Sequence, residues 1–399
     1  MNKIKAFTLI YLIVSTLALT LPSAYAYEPS VICERLKLTS IASSGESIGC
    51  KAAEADWMFG VDIDQHQMIP TVISADRPSK AKILILSSTW SSAYDVSSRI
   101  IIGEFRSRGL GVEFILLNYQ GDIVRAKKAI DVAESMGIDL IVSMGTATTD
   151  FITDYYAGGR LPVVTSCSED PISMNWVNST INMSLNNIAY TSTRIGVDTQ
   201  VAYLKDKFLT KLRYIAIIYD GNNPNFINTQ VKPLERYLVN SDVDIELNMI
   251  EVDFDRLDET LYGPMQRFNR FPPRIDERIF LVTGSSNLFS MIENINYYAN
   301  GIPVLSMTPS HVIANSLSVF MAIGVSVKSN AKLAADYAYR IITRQSLPET
   351  MPVGIVSTPD IAINFQRKPP GNLKVPFNYF EDAFVIFNHD GVAVRGAVK

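Results

Sequence analysis

At 399 residues, with 36 Lys and Arg against 40 Asp and Glu for a net charge of −4, the chain has room for two domains of ordinary size and lacks the basic surplus that a nucleic-acid partner demands. Its three histidines, His66, His311 and His389, stand at no metal-ligand spacing from one another or from a cysteine, so zinc has no support in the sequence and no cofactor is expected.

The chain begins with Lys3 and Lys5, an apolar run from Ala6 to Leu21, Pro22, and then Ala24, Tyr25 and Ala26. A basic head, an apolar core and small residues before a cut make a secretory signal; a membrane anchor is the competing reading, and it lacks the polybasic flank. No cysteine follows the expected cut, which argues against a lipid anchor. Cleavage would leave 373 residues from Tyr27, with 34 basic and 40 acidic side chains. No later stretch has the ~18 apolar residues of a spanning helix. In an exported chain Cys33 and Cys50 are close enough to form a disulfide, or else remain two buried thiols; Cys167 is then expected as a buried small hydrophobe. Residues 27–80 are weakly patterned and read as an N-terminal extension on a first lobe.

From Lys82 the pattern becomes regular. "KILILSS" is short, apolar and β-rich, a buried strand. "AYDVSSRIIIGEFRSRG" has helical spacing and stops at Gly109. "VEFILLN" is a second strand. "DIVRAKKAIDVAESMG" puts Ile123, Ala126, Ile130 and Ala133 on one helical face. "DLIVSMG", a short helix in "TTDFITDYYAGG" and the strand "LPVVTS" complete a first βα series. After "INMSLNN" at 181–187 the alternation restarts: helix "TSTRIGVDTQVAYLKDKF", strand "RYIAIIYD", helix around "TQVKPLERYLVN", strand "IELNMIEV", helix "FDRLDETLYGPMQRF", strand "RIFLVTG", helix "NLFSMIENINYYANG" and strand "IPVLS". "AIGVSVKSNAKLAADYAYRIIT" is a strand followed by an amphipathic helix, and "MPVGIVSTPDIAIN" is extended. Strands alternating with helices of these lengths predict parallel sheets covered on both faces.

In such sheets ligands bind beyond the carboxyl ends of the strands. Those ends carry "SSTWSSAYD", "GTATTD", "SCSEDP", "YDGNNPN" and "TGSSN", rich in Ser, Thr, Asn and Gly and free of Lys and Arg. A P-loop requires its lysine and a dinucleotide fingerprint its three glycines, and neither is present. Hydroxyls and free N–H groups at a helix start suit a compact anion such as a carboxylate, but the same residues are preferred helix caps. Convergence of five such loops on one edge favours a site. Asp170, followed by Pro171, starts a turn or meets a ligand ammonium. His311 has no G-x-S-x-G serine to serve, so it reads as a satisfied core or surface residue before a ligand contact. The N-x-[ST] patterns at Asn178 and Asn182 read as chance matches.

At this point the chain resembles the periplasmic substrate-binding proteins of ABC transporters with the type I periplasmic-binding-protein fold, nearest the group that binds aromatic amino acids. The resemblance rests on "GTATTDFI" with "LPVVTSCSEDPI", then "IAIIYDGNNPN", "IPVLSM", "AIGVSVKSNAKLAADYAYRII" and "LPETMPVGIVSTPDIAIN", in order over roughly residues 80–370. Two positions depart from it. Where that family commonly has an acidic residue for a ligand amino group, Ser285, Ser286 and Asn287 stand here, and its serine after the "PN" pair is Phe226. These departures admit a different small polar or aromatic-ended ligand.

The resemblance implies an α/β protein of two doubly wound parallel-sheet lobes joined by a three-strand hinge. The expected division is a signal at 1–26, an N-terminal extension at 27–80, lobe 1 at 81–186 and 308–344, lobe 2 at 187–307 and 345–370, and a C-terminal extension at 371–399. The implied function is capture of a small molecule by hinge closure in the periplasm, by a monomer with no catalytic residue that delivers the ligand to an ABC permease. Thr146, Ala147 and Thr148 would give donors to an acidic end of the ligand. Trp90 and Tyr94 would stack on a planar part, although packing is an equal reading for Trp90. Ser88, Asp170, Tyr219, Asn225, Ser286 and Asn287 are the remaining polar candidates. A module presenting its ligand-bound form to a membrane sensor kinase is the rival reading, in which the tail "FNYFEDAFVIFNHDG" would serve the partner. An exported enzyme in the same cleft is the third, and no nucleophile–base pair supports it.

Overall fold

The structure, a computed structural model, describes residues 39–42, 48–51, 57–62, 67–72, 81–89, 91–135, 137–178, 186–270, 274–315, 317–367 and 373–396. The signal at 1–26, Cys33 of the expected disulfide and Trp90 lie outside these residues. The described residues up to Val72 belong to one compact unit and those from Ala81 to another. No described helix is long and apolar enough to cross a membrane.

In the first unit β1 (Thr39–Ala42), β2 (Ile48–Lys51), β3 (Trp57–Asp62) and β4 (Gln67–Val72) pair in antiparallel succession. The weak pattern of this stretch therefore hid a four-stranded meander. Gly49 lies opposite Gly60 and Phe59 opposite Pro70, and glycine and proline erase the alternation by which a strand is read.

The second unit contains two lobes. In lobe 1, β5 (Ala81–Ser87), β6 (Val112–Asn118), β7 (Leu140–Met144), β8 (Val163–Ser166) and β9 (Ile188–Ala189) form a parallel sheet in the order β6-β5-β7-β8-β9. Helix α1 (Ser92–Ser107) follows β5, capped by the Ser91 hydroxyl, which accepts from the N–H of Ala93. Helices α2 (Ile123–Ser135) and α3 (Thr146–Tyr156) follow β6 and β7. Leu84, Leu86, Ala126, Ile130, Ile152 and Tyr156 share one core cluster, so α2 and α3 cover one face. Phe105 of α1 meets Phe114 edge-on at 5.7 Å between ring centres, on the opposite side of the sheet from that cluster. Burial on both faces is why these strands read as continuous apolar runs.

In lobe 2, β10 (Tyr214–Asp220), β11 (Glu246–Val252), β12 (Arg278–Val282), β13 (Val304–Ser306) and β14 (Met321–Gly324) are parallel, in the order β11-β10-β12-β13-β14. The sheet continues: β15 (Asp360–Asn364) runs antiparallel to β14, β16 (Ala383–Phe387) parallel to β15, and β17 (Ala393–Arg395) antiparallel to β16. The two faces carry separate clusters, one holding Ile215, Ile217 and Leu234, the other Ala216, Ile218 and Met265. Two sequence expectations are corrected here. Residues 371–399 are not an appendage: Tyr379 is fully buried in the first cluster and its hydroxyl donates to the carbonyl of Tyr203, while Val385 and Phe387 enter the second. And residues 308–344 divide, because β14 hydrogen-bonds into the lobe 2 sheet whereas the helix after it packs on lobe 1.

That helix, α4 (Val327–Ile342), lies against α1, with Arg108 of α1 paired to Asp336 at 3.0 Å and its guanidinium 4.7 Å from the Tyr339 ring centre. The chain thus passes between lobes three times: after β9, between β14 and α4, and between α4 and β15. The first and third passages are joined, the N–H of Ser192 donating to the Gly354 carbonyl and the N–H of Gly354 to the Tyr190 carbonyl, both at 2.8 Å. The second is tied to the start of β15, where Asp360 accepts from the N–H of Ser326 at 2.7 Å. At the centre sits Asn330, fully buried on α4. Its Oδ1 accepts from the N–H of Cys167 at 2.7 Å and from the Ser166 hydroxyl at 3.3 Å; its Nδ2 donates to the Thr191 hydroxyl at 3.2 Å and the Ser192 carbonyl at 3.1 Å.

Replacing this carboxamide by a hydrocarbon of similar size, Asn330→Leu, strands a buried N–H and a buried carbonyl. The expected loss is about 3 kcal/mol, read as a lower urea midpoint by circular dichroism; an unchanged midpoint would show that the hinge does not depend on these bonds.

Candidate functional site

The carboxyl ends of parallel strands in both lobes open onto one cavity of about 910 Å³, which also extends along residues 312–314 to the C-terminal strands at Val385, Phe387 and Ala393. Its lobe 1 wall includes Tyr94 after β5 and Cys167 and Glu169 after β8; its lobe 2 wall includes Phe226 after β10, Gly284 after β12 and Met307 and Thr308 after β13. Arg194 enters from the first passage between lobes. A smaller cavity of about 210 Å³ adjoins it towards the hinge, sharing Thr193, Arg194 and Met307 and adding Asp170, Thr229 and Gln230. Backbone turns build this geometry. Gly145, between β7 and α3, has φ 87° and ψ 164°, a region only glycine occupies without strain, and a Cβ there would collide with the Tyr94 hydroxyl. Gly284 is open for a similar reason: a Cβ would lie 2.8 Å from both the Phe226 ring and the Thr308 hydroxyl.

The candidates chosen from the sequence fall into three groups. Tyr94 and Asp170 line the cavities. Burial raises the Tyr94 phenol above its ordinary range, with Cys167 adding to the effect, so it stays a neutral donor at physiological pH. Asp170 is held by the N–H and hydroxyl of Ser173, at 2.9 and 2.8 Å, and by the Ser192 hydroxyl at 3.4 Å. Thr146 and Asn287 act on neighbouring backbone or side chains. The Thr146 hydroxyl accepts from the N–H of Glu169 at 3.2 Å and so sets the turn that carries Glu169. Asn287 donates to Asp220 at 3.2 Å, alongside Ser285 at 3.2 Å. The rest stand apart from the cavity lining. Ala147, Asn225 and Ser286 are exposed, Ser88 is half-buried, and Thr148 is fully buried on α3. The Tyr219 hydroxyl donates to Glu251 at 3.3 Å, and burial with that carboxylate beside it pushes the phenol up to about 12.

The strand-end loops hold no Lys or Arg, yet the cavity has an arginine. Arg194 donates through Nε and Nη2 to a single oxygen of Glu169, at 2.8 and 2.6 Å, with the two side chains only 15 % and 14 % exposed. Its guanidinium lies 5.6 Å from the Phe226 ring centre, so one side chain touches both lobes. Gln230 was also missed. It sits on a π-helical turn, Ile227–Val231, at 1 % exposure. Its Oε1 accepts from the N–H of Gly284 at 3.0 Å, while its Nε2 has no partner among the described residues, a state that costs about 1–3 kcal/mol. The available signal was the isolated arginine in "TSTRIG" before Gly196. It reads as part of a helix, but the chain is extended there and the helix starts at Val197.

Residues 111–369 match the family model described as ABC transporter substrate binding protein. Among curated proteins none matches. Solved structures of similar fold include the following three. One is an ABC domain from Streptococcus pneumonia in complex with L-Trp, at 16% identity and TM-score 0.54, covering 76% of this chain and 99% of that one. A conserved domain protein from Vibrio cholerae aligns at 17% identity and TM-score 0.55, covering 77% and 100%. A ligand-free, open substrate-binding protein with adhesive properties from Clostridium difficile aligns at 18% identity and TM-score 0.61, covering 76% and 98%.

His311 lies just outside the cavity lining. Its Nδ1 is 2.8 Å from the Ser306 hydroxyl, and its ring stacks on Phe289 at 4.5 Å between centres. Burial pushes its pKa down to about 4. Because the folded value is below the unfolded one, the stabilising contribution is complete above pH ~6.5 and is lost as pH falls towards the folded value. Wild type should therefore lose stability between pH 7 and 4 more steeply than His311→Gln, by about 3 kcal/mol over that window, in urea titrations at each pH. Equal slopes would assign the charge-free state of His311 no part in stability.

Proposed function

Since the chain belongs to the ABC transporter substrate-binding protein family, we propose that it captures a small polar or aromatic-ended ligand, an amino acid or similar molecule, between its lobes and delivers it to an ABC importer. The observation that carries this reading is the ~910 Å³ cavity on which the carboxyl ends of strands from both lobes converge. A ligand touching both walls stabilises the closed arrangement by its differential contacts, the ordinary basis of hinge closure. Lobe 1 would contribute the neutral Tyr94 phenol and the Thr146-supported turn; lobe 2 would contribute Phe226, Met307 and Thr308. The L-Trp complex of the pneumococcal ABC domain supports a ligand of this size and character. Export through the N-terminal signal, with action in the periplasm as a monomer, completes the proposal. Catalysis has no part in it.

Thermal denaturation against amino acids, nucleosides and small sugars is the direct test. The bound ligand should stabilise the protein by about 2.7 kcal/mol at a hundredfold excess over its dissociation constant. A panel that moves no melting temperature would overturn the reading. Deletion of the gene should then abolish uptake of the labelled ligand; uptake that survives deletion, beside a genuine melting shift, would favour presentation to a membrane sensor.

A further inference from the structure

The larger cavity reaches further than the meeting of the two lobes. An arm of it is lined by the loop at 312–314 and by Phe384, Val385, Phe387 and Ala393. These last four lie past residue 369, where the match to the family model ends, so β16 and β17 build a part of the cavity that the family match does not cover. A bulge shapes it. Ile361 of β15 pairs with Ala383 and Ala362 with Val385, which leaves Phe384 over between them. Neighbours on a regular strand face opposite sides of a sheet; the extra residue lets Phe384 and Val385 line the same cavity. Val385 and Phe387 are buried and share a core cluster with Val312, while Phe384 and Ala393 are half-buried, which makes the arm a recess and not an exposed patch.

Charge gives the larger cavity a sign. Three charged side chains line it, Glu169, Arg194 and Lys328. The first two neutralise one another. Lys328, in the first turn of α4, is exposed and has no ion-pair partner among the described residues. Asp170 belongs to the smaller cavity, where three donors from Ser173 and Ser192 hold it. The larger cavity thus combines one uncompensated positive charge with a hydrocarbon-lined arm. From these two features we propose that the arm is a binding site for the apolar chain of an amphipathic monoanion. A small head bearing one carboxylate is held in the main part of the cavity, and an unbranched acyl chain joined to it lies along β16 and β17. The inference rests on the solute-binding reading above and assigns a ligand class to the part of the cavity that the C-terminal strands add.

Two physical arguments select this class. The side chains of the arm offer no hydrogen bond, so whatever enters it must itself be free of polar groups or leave them unpaired. A recess that continues a cavity is filled by an extended group before a compact one, and each methylene withdrawn from water there raises affinity by about fourfold. The charge argument concerns the head. An ammonium brings a second positive charge to a cavity that already carries one, whereas an acyl amide has no ammonium and brings only its carboxylate.

Calorimetric titration of the full chain with N-acylglycines from acetyl to decanoyl tests this. Affinity should rise by about fourfold per methylene until the arm is filled and then level off. The N-acylethanolamine of the same chain, which lacks the carboxylate, should bind less tightly at every length. Two substitutions that fill the arm from different elements, Ala314→Phe and Ala393→Phe, should move the levelling point to shorter chains and leave the short members unaffected. Lys328→Gln should instead lower affinity about two- to fivefold at every length and leave the dependence on length intact. Melting curves without ligand confirm that each variant folds. An affinity that does not rise with chain length, or that rises to the same length in both filled variants as in wild type, would overturn the assignment of the arm. Equal binding of the acylglycines and the acylethanolamines would overturn the anionic head. Binding of free amino acids, nucleosides or sugars without the acylglycines would overturn the proposal and leave solute binding in place. No binding of any of these probes would overturn both.

Discussion

The carboxamide of Asn330 is the constraint on which the arrangement of the second unit depends. Four bonds from one fully buried side chain join the end of β8, the first passage between lobes and helix α4. A buried amide has no water to fall back on, so these partners are obliged to meet there or leave polar groups unpaired. Cys167 takes φ 56° beside this junction, and its backbone N–H is one of the four partners. The following residues, Glu169 and Asp170, are thereby delivered to the cleft. The hinge and the polar floor of the cavity are consequences of the same set of bonds, with Asp360 securing the second passage in a like manner.

Much of the α/β order was legible because it depends on burial. β6 coincides with "VEFILLN", and α2 places Ala126, Ile130 and Ala133 inward as its spacing requires. Reading failed where local pattern and tertiary role separate. The stretch "NLFSMIENINYYANG" has continuous helical spacing, yet the helix breaks at Met291, with φ −102° and ψ 9°. The helices expected over 191–208 and 254–268 are shorter or contain π turns, at Tyr203–Phe208 and Asp258–Tyr262. The C-terminal aromatic run carries no βα alternation because β16 and β17 extend an existing sheet without an intervening crossover, so the pattern that announces a parallel strand is absent.

The site was legible in its position and less so in its chemistry. Strand carboxyl ends located it, since topology brings those ends to one edge whatever residues they bear. The polar residues at those ends divide their duties in ways spacing does not reveal. Asn287 and Ser285 serve Asp220, Tyr219 serves Glu251, and Thr146 serves the backbone of Glu169. The charged pair was invisible for a different reason. Glu169 belongs to a strand-end turn of lobe 1 and Arg194 to the passage out of it, and nothing in either short stretch announces that the chain folds one onto the other. A glutamine such as Gln230, inside a helical pattern, reads as surface; here it is buried on a π turn with its Oε1 on the N–H of Gly284.

The lobe 2 sheet takes its final strands from residues 383–387 and 393–395, and Tyr379 closes one of its two cores. That sheet therefore lacks its last two strands until residue 395 has been made, whereas β5 to β9 of lobe 1 are all present by residue 189. For a chain that folds as it is synthesised, the two halves are thus completed one after the other. Until β16 arrives, β15 presents the row of backbone groups that β16 later pairs, an unprotected edge of the kind that templates strand addition.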